Sequence, residues 1–234
     1  KGDGSGAGNQ IAFNYWDGVL VGDTNTGGIA IRGNSMFDNG NLGIELVNSA
    51  NHLQSYPVIT NAFGYASSTM IQGTLNSASN SSFKIDLYRD LVAGNSGRGQ
   101  GQFYLGSVIV ATDGDGKASF SFTNNSGNYS GQFLSASATD TSSNTSEFSL
   151  SIPATNAPAP FAQFGTQYFL RTNGFSFRLT LATHFSYHIQ ATTNLANPFA
   201  WVNLTNFTAT NSSLTFTDIT ATNFRTRFYR ATSP

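Results

Sequence analysis

The chain has 234 residues, a formal net charge of −1 and only 10% charged residues. Its eleven Lys and Arg are scattered, so neither the counterion release behind sequence-independent nucleic-acid binding nor a polybasic membrane contact has a source. Cysteine is absent, which excludes disulfides and thiolate metal sites, and no apolar run approaches the ~18–20 residues of a membrane helix.

Lys1-Gly2-Asp3-Gly4 is followed by polar, glycine-rich sequence without a signal-peptide pattern, so the chain is expected to be mature or to lack an upstream part. Asn, Ser, Thr and Gly alternate with 20 Phe, 9 Tyr and β-branched residues. That alternation predicts an all-β protein rather than a disordered one, since no stretch keeps a helical period over three turns.

Residues 1–50 repeat with a period of 25. Gly8, Asn9, Ile11 and Asn14 match Gly33, Asn34, Met36 and Asn39, and Gly18, Val19 and Val21 match Gly43, Ile44 and Leu46. The short apolar patches 11–13, 19–21, 29–31 and 44–46 are separated by Asn and Gly, which tolerate the left-handed backbone angles of tight corners. A period of 20–25 residues with short strands and such corners predicts solenoid coils, about two of them. Asn9 over Asn34 and Asn14 over Asn39 would then stack as a hydrogen-bonded ladder.

These repeats resemble the final coils of right-handed parallel β-helix proteins of bacterial exported type. The resemblance covers about 45 residues and implies a fold but no particular activity.

Seven strands are expected in 51–153: Tyr56–Ala62, Thr69–Asn76, Ser82–Arg89, Gln102–Ala111, Lys117–Thr123, Gly131–Thr139 and Thr145–Ile152. Seven short strands in about 100 residues suggest an Ig-like β-sandwich. Phe83, Ile85, Leu87, Leu105, Val108, Val110, Phe120, Phe122, Phe148 and Leu150 would face inward. The segment resembles Ig-like domains that follow β-helices in bacterial surface proteins, through "QGTLN", "FKIDLY" and "SATDTSSNTSEFSL".

Residues 154–164 form a Pro/Ala-rich linker, extended and semi-rigid. Residues 165–234 then predict a small C-terminal β-sandwich with a core of Phe175, Phe177, Leu179, Tyr187, Ile189, Trp201, Phe216 and Phe228. The pattern from "YHIQATTNLANPFAWVNLT" to "RFYRA" resembles a C-terminal module of exported proteins in Verrucomicrobia-like bacteria. The expected fold class is therefore all-β: a short parallel β-helix followed by two β-sandwich domains. The resemblances imply an expected location outside the cell or on its surface.

Candidate chemistry is sparse. Asp17, Asp23, Asp38, Glu45 and Arg32 do not supply the positioned carboxylate pair that acid–base catalysis of glycosidic cleavage requires. Asp113 and Asp115 in "TDGDGK" are a weak calcium candidate, because the twelfth position of an EF-hand loop is Asn124 rather than Glu, and Asp-Gly favours a hairpin turn. His184 and His188 lie about 13 Å apart on a strand at ~3.3 Å per residue, too far to share one metal. "GDGSGAG" has the glycines of a dinucleotide loop without its strand and helix, and no nucleophile elbow is present. No catalytic residue, metal site or cofactor is assigned.

Two functional handles remain. Tyr15 and Trp16 at a coil corner are candidate sugar-stacking residues. Ile11, Phe13, Val19 and Val21 line the upstream end of the coils, where unpaired strand edges invite strand addition. Nothing at Lys1 resembles a cap, while the following sandwich can cover the downstream side. The expected function is a non-catalytic extracellular or cell-surface structural protein acting in adhesion, display or self-assembly, the last including filaments grown through the uncapped β-helix end. Its partners are other copies of itself or an upstream β-helix. Carbohydrate binding, as the tail of a polysaccharide-active enzyme, is the alternative.

Overall fold

The computed structural model describes residues 8–157, 162–171, 174–183 and 185–233. The fold is all-β: among these residues the only non-strand regular elements are short 3-10 turns. The chain divides into two compact units, Lys1–Ala157 and Pro158–Pro234. The division falls inside the Pro/Ala-rich segment 154–164, and residues 1–50 and 51–153 lie in one unit.

The first unit begins with two short parallel ladders. Strand β1 (Gln10–Ala12) pairs with β3 (Ser35–Phe37), and β2 (Val19–Val21) pairs with β4 (Ile44–Leu46). Every Cα partner is 25 residues away: Ile11 with Met36, Val19 with Ile44, Val21 with Leu46. The sequence period is thus the stacking register itself.

Backbone conformation repeats with it. Phe13 and Asp38 have φ of 59° and 52°, and Asp23 and Asn48 have 101° and 53°, so positive-φ corners recur at the same two phases of each repeat. The matched glycines have a different reason: a Cβ on Gly8 would lie 1.9 Å from the Gly33 carbonyl oxygen, and one on Gly18 2.7 Å from that of Gly43. Repeats this close leave no room for a side chain there.

Two four-stranded sheets follow. Strands β5 (Val58–Gly64), β6 (Thr69–Asn76), β7 (Ser82–Asp90), β8 (Phe103–Ala111), β9 (Lys117–Asn124), β10 (Phe133–Asp140), β11 (Ile152–Pro153) and β12 (Thr155–Asn156) assemble in the orders β11-β10-β7-β8 and β12-β5-β6-β9. Ile71, Leu75, Phe83, Ile85, Leu87, Leu134, Ala136 and Ala138 fill the core between them, each large side chain contributing about 1.5–3 kcal/mol of burial.

Alternation predicts solvent for the outer face of β7 and β10. Instead Asp86, Tyr88, Asp90, Ser135 and Ser137 on that face are buried. The stacked repeats lie on it, and Val21, Ile31, Met36, Ile44, Leu46 and Ala50 share a second core with Tyr88 and Phe148. Phe148 therefore belongs to that core rather than to the one between the sheets, and Leu150 is exposed.

Thr145–Ile152 is not a regular strand. Only isolated bridges remain, Arg98 to Leu150 and Thr139 to Thr145, before β11. Serine hydroxyls complete the pairing: Ser146 Oγ and Ser149 Oγ accept from the Ala138 and Ala136 amides of β10 at 2.9 and 3.0 Å. Side chains competing with the backbone for hydrogen bonds break a ladder in this way. The patch 29–31 forms no strand either; the Ile31 amide donates to Thr145 Oγ1 and the Ile29 amide to Asn51 Oδ1.

The second unit contains β13 (Gln163–Arg171), β14 (Gly174–Thr180), β15 (Ser186–Thr192), β16 (Val202–Thr208), β17 (Ser213–Asp218) and β18 (Phe228–Thr232). They form sheets β13-β14-β17 and β16-β15-β18 around Phe177, Leu179, Leu181, Tyr187 and Ile189. Two expected core residues differ. Tyr229 packs against this core while its neighbour Phe228 turns outward, and Trp201 is half-buried beneath the Arg230 guanidinium at 4.3 Å.

Candidate functional site

The stacked repeats carry a directional ladder. Asn9 donates its backbone N–H (3.0 Å) and Nδ2–H (3.3 Å) to Asn34 Oδ1. Asn14 donates the same two groups to Asn39 Oδ1 at 3.3 and 2.8 Å. In both rungs the upstream asparagine is donor and the downstream one acceptor. Asp17 adds a link of opposite sense, its Oδ1 accepting from the Leu42 amide and from Asn41 Nδ2.

At the downstream end the ladder continues into the sheets. Gln100 Oε1 accepts from both the backbone N–H and Nδ2 of Asn39, at 2.9 and 3.2 Å. This is the bonding that Asn39 gives Asn14, reproduced 61 residues along by a glutamine. Gln100 Nε2 donates in return to the Asn39 and Asn41 carbonyls at 2.8 and 3.2 Å. The Gly101 carbonyl accepts from the Met36 amide, the Gln102 carbonyl from Ser35 Oγ, and Glu147 Oε1 from the Leu46 amide. The segment 100–102 takes the place of a third repeat.

Two further contacts fix the repeats to the sheet. Arg32 forms a bidentate pair with Asp86 at 2.6 and 2.8 Å, and the Asp86 side chain is fully buried. This bond, and the Asp86 charge, raise the Arg32 pKa above its ordinary value. Tyr88 Oη, whose pKa burial pushes up, accepts from the Gly33 amide. Asn51, fully buried, accepts from the Ile29 amide and donates to the Ile29 and Thr145 carbonyls. It holds a left-handed turn in which Asn51, His52 and Leu53 have φ of 46°, 53° and 46°.

The upstream end differs. Among the described residues β1 pairs only with β3 and β2 only with β4. Ile11 and Val19 are half-buried, whereas their register partners Met36 and Ile44 are each 1% exposed. Of the expected edge residues, Ile11, Val19 and Val21 do sit on these strands and pack in the apolar cluster. Phe13 lies just beyond β1, 75% exposed, with its ring edge-on to Phe37 at 5.6 Å.

Tyr15 and Trp16 are 84% and 69% exposed, their rings perpendicular at 5.0 Å. Asp17, the next residue along, interacts with Glu45 and raises the Glu45 pKa, burial adding a smaller push in the same direction.

The other candidates resolve differently. Asp113 Oδ1 accepts from the Asp115 and Lys117 amides, so this carboxylate builds the hairpin turn. Among the described residues no group of three or more His, Asp or Glu is placed so that it could hold a metal ion, around Asp113 and Asp115 or elsewhere. His188 bonds Asn206 through Nδ1; His184 and the residues 2–7 of the glycine-rich start lie outside the described residues. The residues that sequence reasoning missed are Gln100, Glu147 and Asn51. No repeat or motif signals them: Gln100 and Glu147 act on partners 61 and 101 residues away, and Asn51 joins Ile29 to Thr145, 94 residues along.

No family model matches the chain, and no curated protein does. Among solved structures it is similar to trypsin-activated alpha-2-macroglobulin from Escherichia coli, at 11% identity and a TM-score of 0.28. That similarity covers 77% of this chain and spans 13% of the other. At that level it carries no argument about fold or function.

Proposed function

We propose that the chain is a non-catalytic structural module of an extracellular or cell-surface protein. In it an Ig-like sandwich closes the downstream end of a short parallel β-helix, and a second small sandwich follows for display or adhesion. The observation that carries this reading is Gln100, whose amide repeats for Asn39 the bonding that one coil gives the next. The low charge and Asn/Ser/Thr-rich composition support placement outside the cell.

Head-to-tail growth into a filament needs a free downstream face. Gln100, Gly101 and Glu147 occupy that face, so display on a coil stack is the stronger form of the reading. The test is residue-resolved hydrogen exchange on the full chain and on Gln100→Leu. Loss of protection at Asn39, Asn41 and Leu46 with β5–β10 unchanged is expected. Undiminished protection of the coil amides in the variant would sink the capping role.

A second reading, polysaccharide binding, is favoured by the exposure of Tyr15 and Trp16. Each offers a ring face that a pyranose can stack on. Retention on insoluble polysaccharide that Trp16→Ala abolishes without altering the fold would establish it; no retention by the parent chain would remove it.

A further inference from the structure

Resting on the capping reading, we infer that the upstream edge of β1 and β2 is a docking edge for a further parallel coil of the same 25-residue period, the coil of an upstream β-helix. Three observations on this edge fix the occupant's chemistry.

The first is the sense of the ladder. Asn9 and Asn14 turn both donors downstream, to Asn34 and Asn39. Their own Oδ1 atoms accept no hydrogen bond from another described residue, although Asn34 and Asn39 each accept two. An occupant must therefore bring a backbone N–H and an amide N–H to each, as an asparagine one period earlier does.

The second is the backbone. The Val19 amide donates to the Gly43 carbonyl, and the Val21 carbonyl accepts from the Val47 amide. In a parallel strand the intervening residue faces the opposite way, so Leu20 presents its N–H and C=O to the upstream side. The third is burial: Ile11 and Val19 keep exposed surface that their partners one coil down have lost. A stacked coil covers it.

A second copy of the chain does not meet these demands. Its downstream face is filled by Gln100 and Glu147. Apposed upstream faces would set the acceptor oxygens of Asn9 and Asn14 against each other, with no donor between them.

The test adds a coil. A chain carrying a second copy of residues 8–32 directly before Gly8 is compared with the parent, and with a version whose added copy has leucine at the counterparts of Asn9 and Asn14. Light scattering gives the mass, thermal unfolding the midpoint, and NMR the exchange of the Leu20 amide.

The added coil is expected to slow Leu20 exchange by about a hundredfold and to raise the midpoint by roughly 5 °C. The leucine version should lose most of both. Leu20 exchanging at the parent rate beneath the added coil overturns the docking edge. Parent Leu20 exchange that slows with concentration, alongside a doubled mass, overturns the choice of occupant in favour of a second copy. Either failure is separate from failure of the capping reading, which shows at Asn39 and Gln100 on the opposite end.

Discussion

Replacing Gln100 with leucine measures how firmly the sheets close the stacked repeats. Leucine keeps much of the side-chain volume and removes four hydrogen bonds, two accepted from Asn39 and two donated to the Asn39 and Asn41 carbonyls. Asn39 is 2% exposed, so its amide N–H and Nδ2 cannot turn to water without opening the site. An unsatisfied buried donor costs about 1–3 kcal/mol, and each further lost bond about 0.5–1.5 kcal/mol. The sum is about 3–4 kcal/mol once partial relaxation of Asn39 toward Ile11 O, which it already reaches at 3.1 Å, is allowed. For a unit of this size that lowers the unfolding midpoint by roughly 10 °C.

Calorimetry of the full chain reads the shift. Gln72→Leu, on a side chain whose Oε1 accepts from exposed Asn61, serves as a surface control expected to stay within about 0.5 kcal/mol. The reasoning is refuted if Gln100→Leu behaves like that control.

Arg32→Ala should cost about 3–5 kcal/mol in thermal unfolding, because it leaves the buried Asp86 carboxylate without its cation. The Arg32→Ala/Asp86→Ala double variant should recover part of that, and a double variant as unstable as the sum would count against the pair. Asn51→Ala should cost about 2–4 kcal/mol by orphaning the Ile29 amide and two carbonyls, and should raise protease sensitivity at 51–53; unchanged cleavage there would contradict its role in the turn. Gly40→Ala places a Cβ 2.1 Å from the Tyr15 carbonyl oxygen and should abolish slow exchange in the two ladders; a chain with native exchange would contradict the stacking distance. Glu45 has a folded-state pKa raised above 4.5 by Asp17. Its protonated form is favoured in the fold, so its contribution is full below about 4.5 and is lost as pH rises through the raised value. Glu45→Gln should flatten that part of the stability–pH curve and increase stability at pH 7; an unchanged curve would remove the Asp17 link.

Much of the architecture was local enough to read directly. The 25-residue period predicted parallel stacking because identical phases must bury identical residues, and the register Ile11–Met36, Val19–Ile44 follows it. The Asn9–Asn34 and Asn14–Asn39 pairs follow from the same spacing. Strands β6 and β7 were legible from alternation between turn residues, and Thr69–Asn76 has the expected bounds.

Tertiary structure decided what lies on the second face of a strand. Alternation assigns Asp86, Tyr88, Ser135 and Ser137 to solvent, but a polar face is equally suited to a hydrogen-bonded interface, and here the repeats cover it. Thr145–Ile152 has strand periodicity, yet its serine hydroxyls take the ladder amides, and its Phe148 points into the other core. Gln100, Glu147 and Asn51 find partners 61, 101 and 94 residues away. A hydrogen bond between such distant residues depends on where the folded sheets place the repeats, and no periodicity within the chain encodes that position.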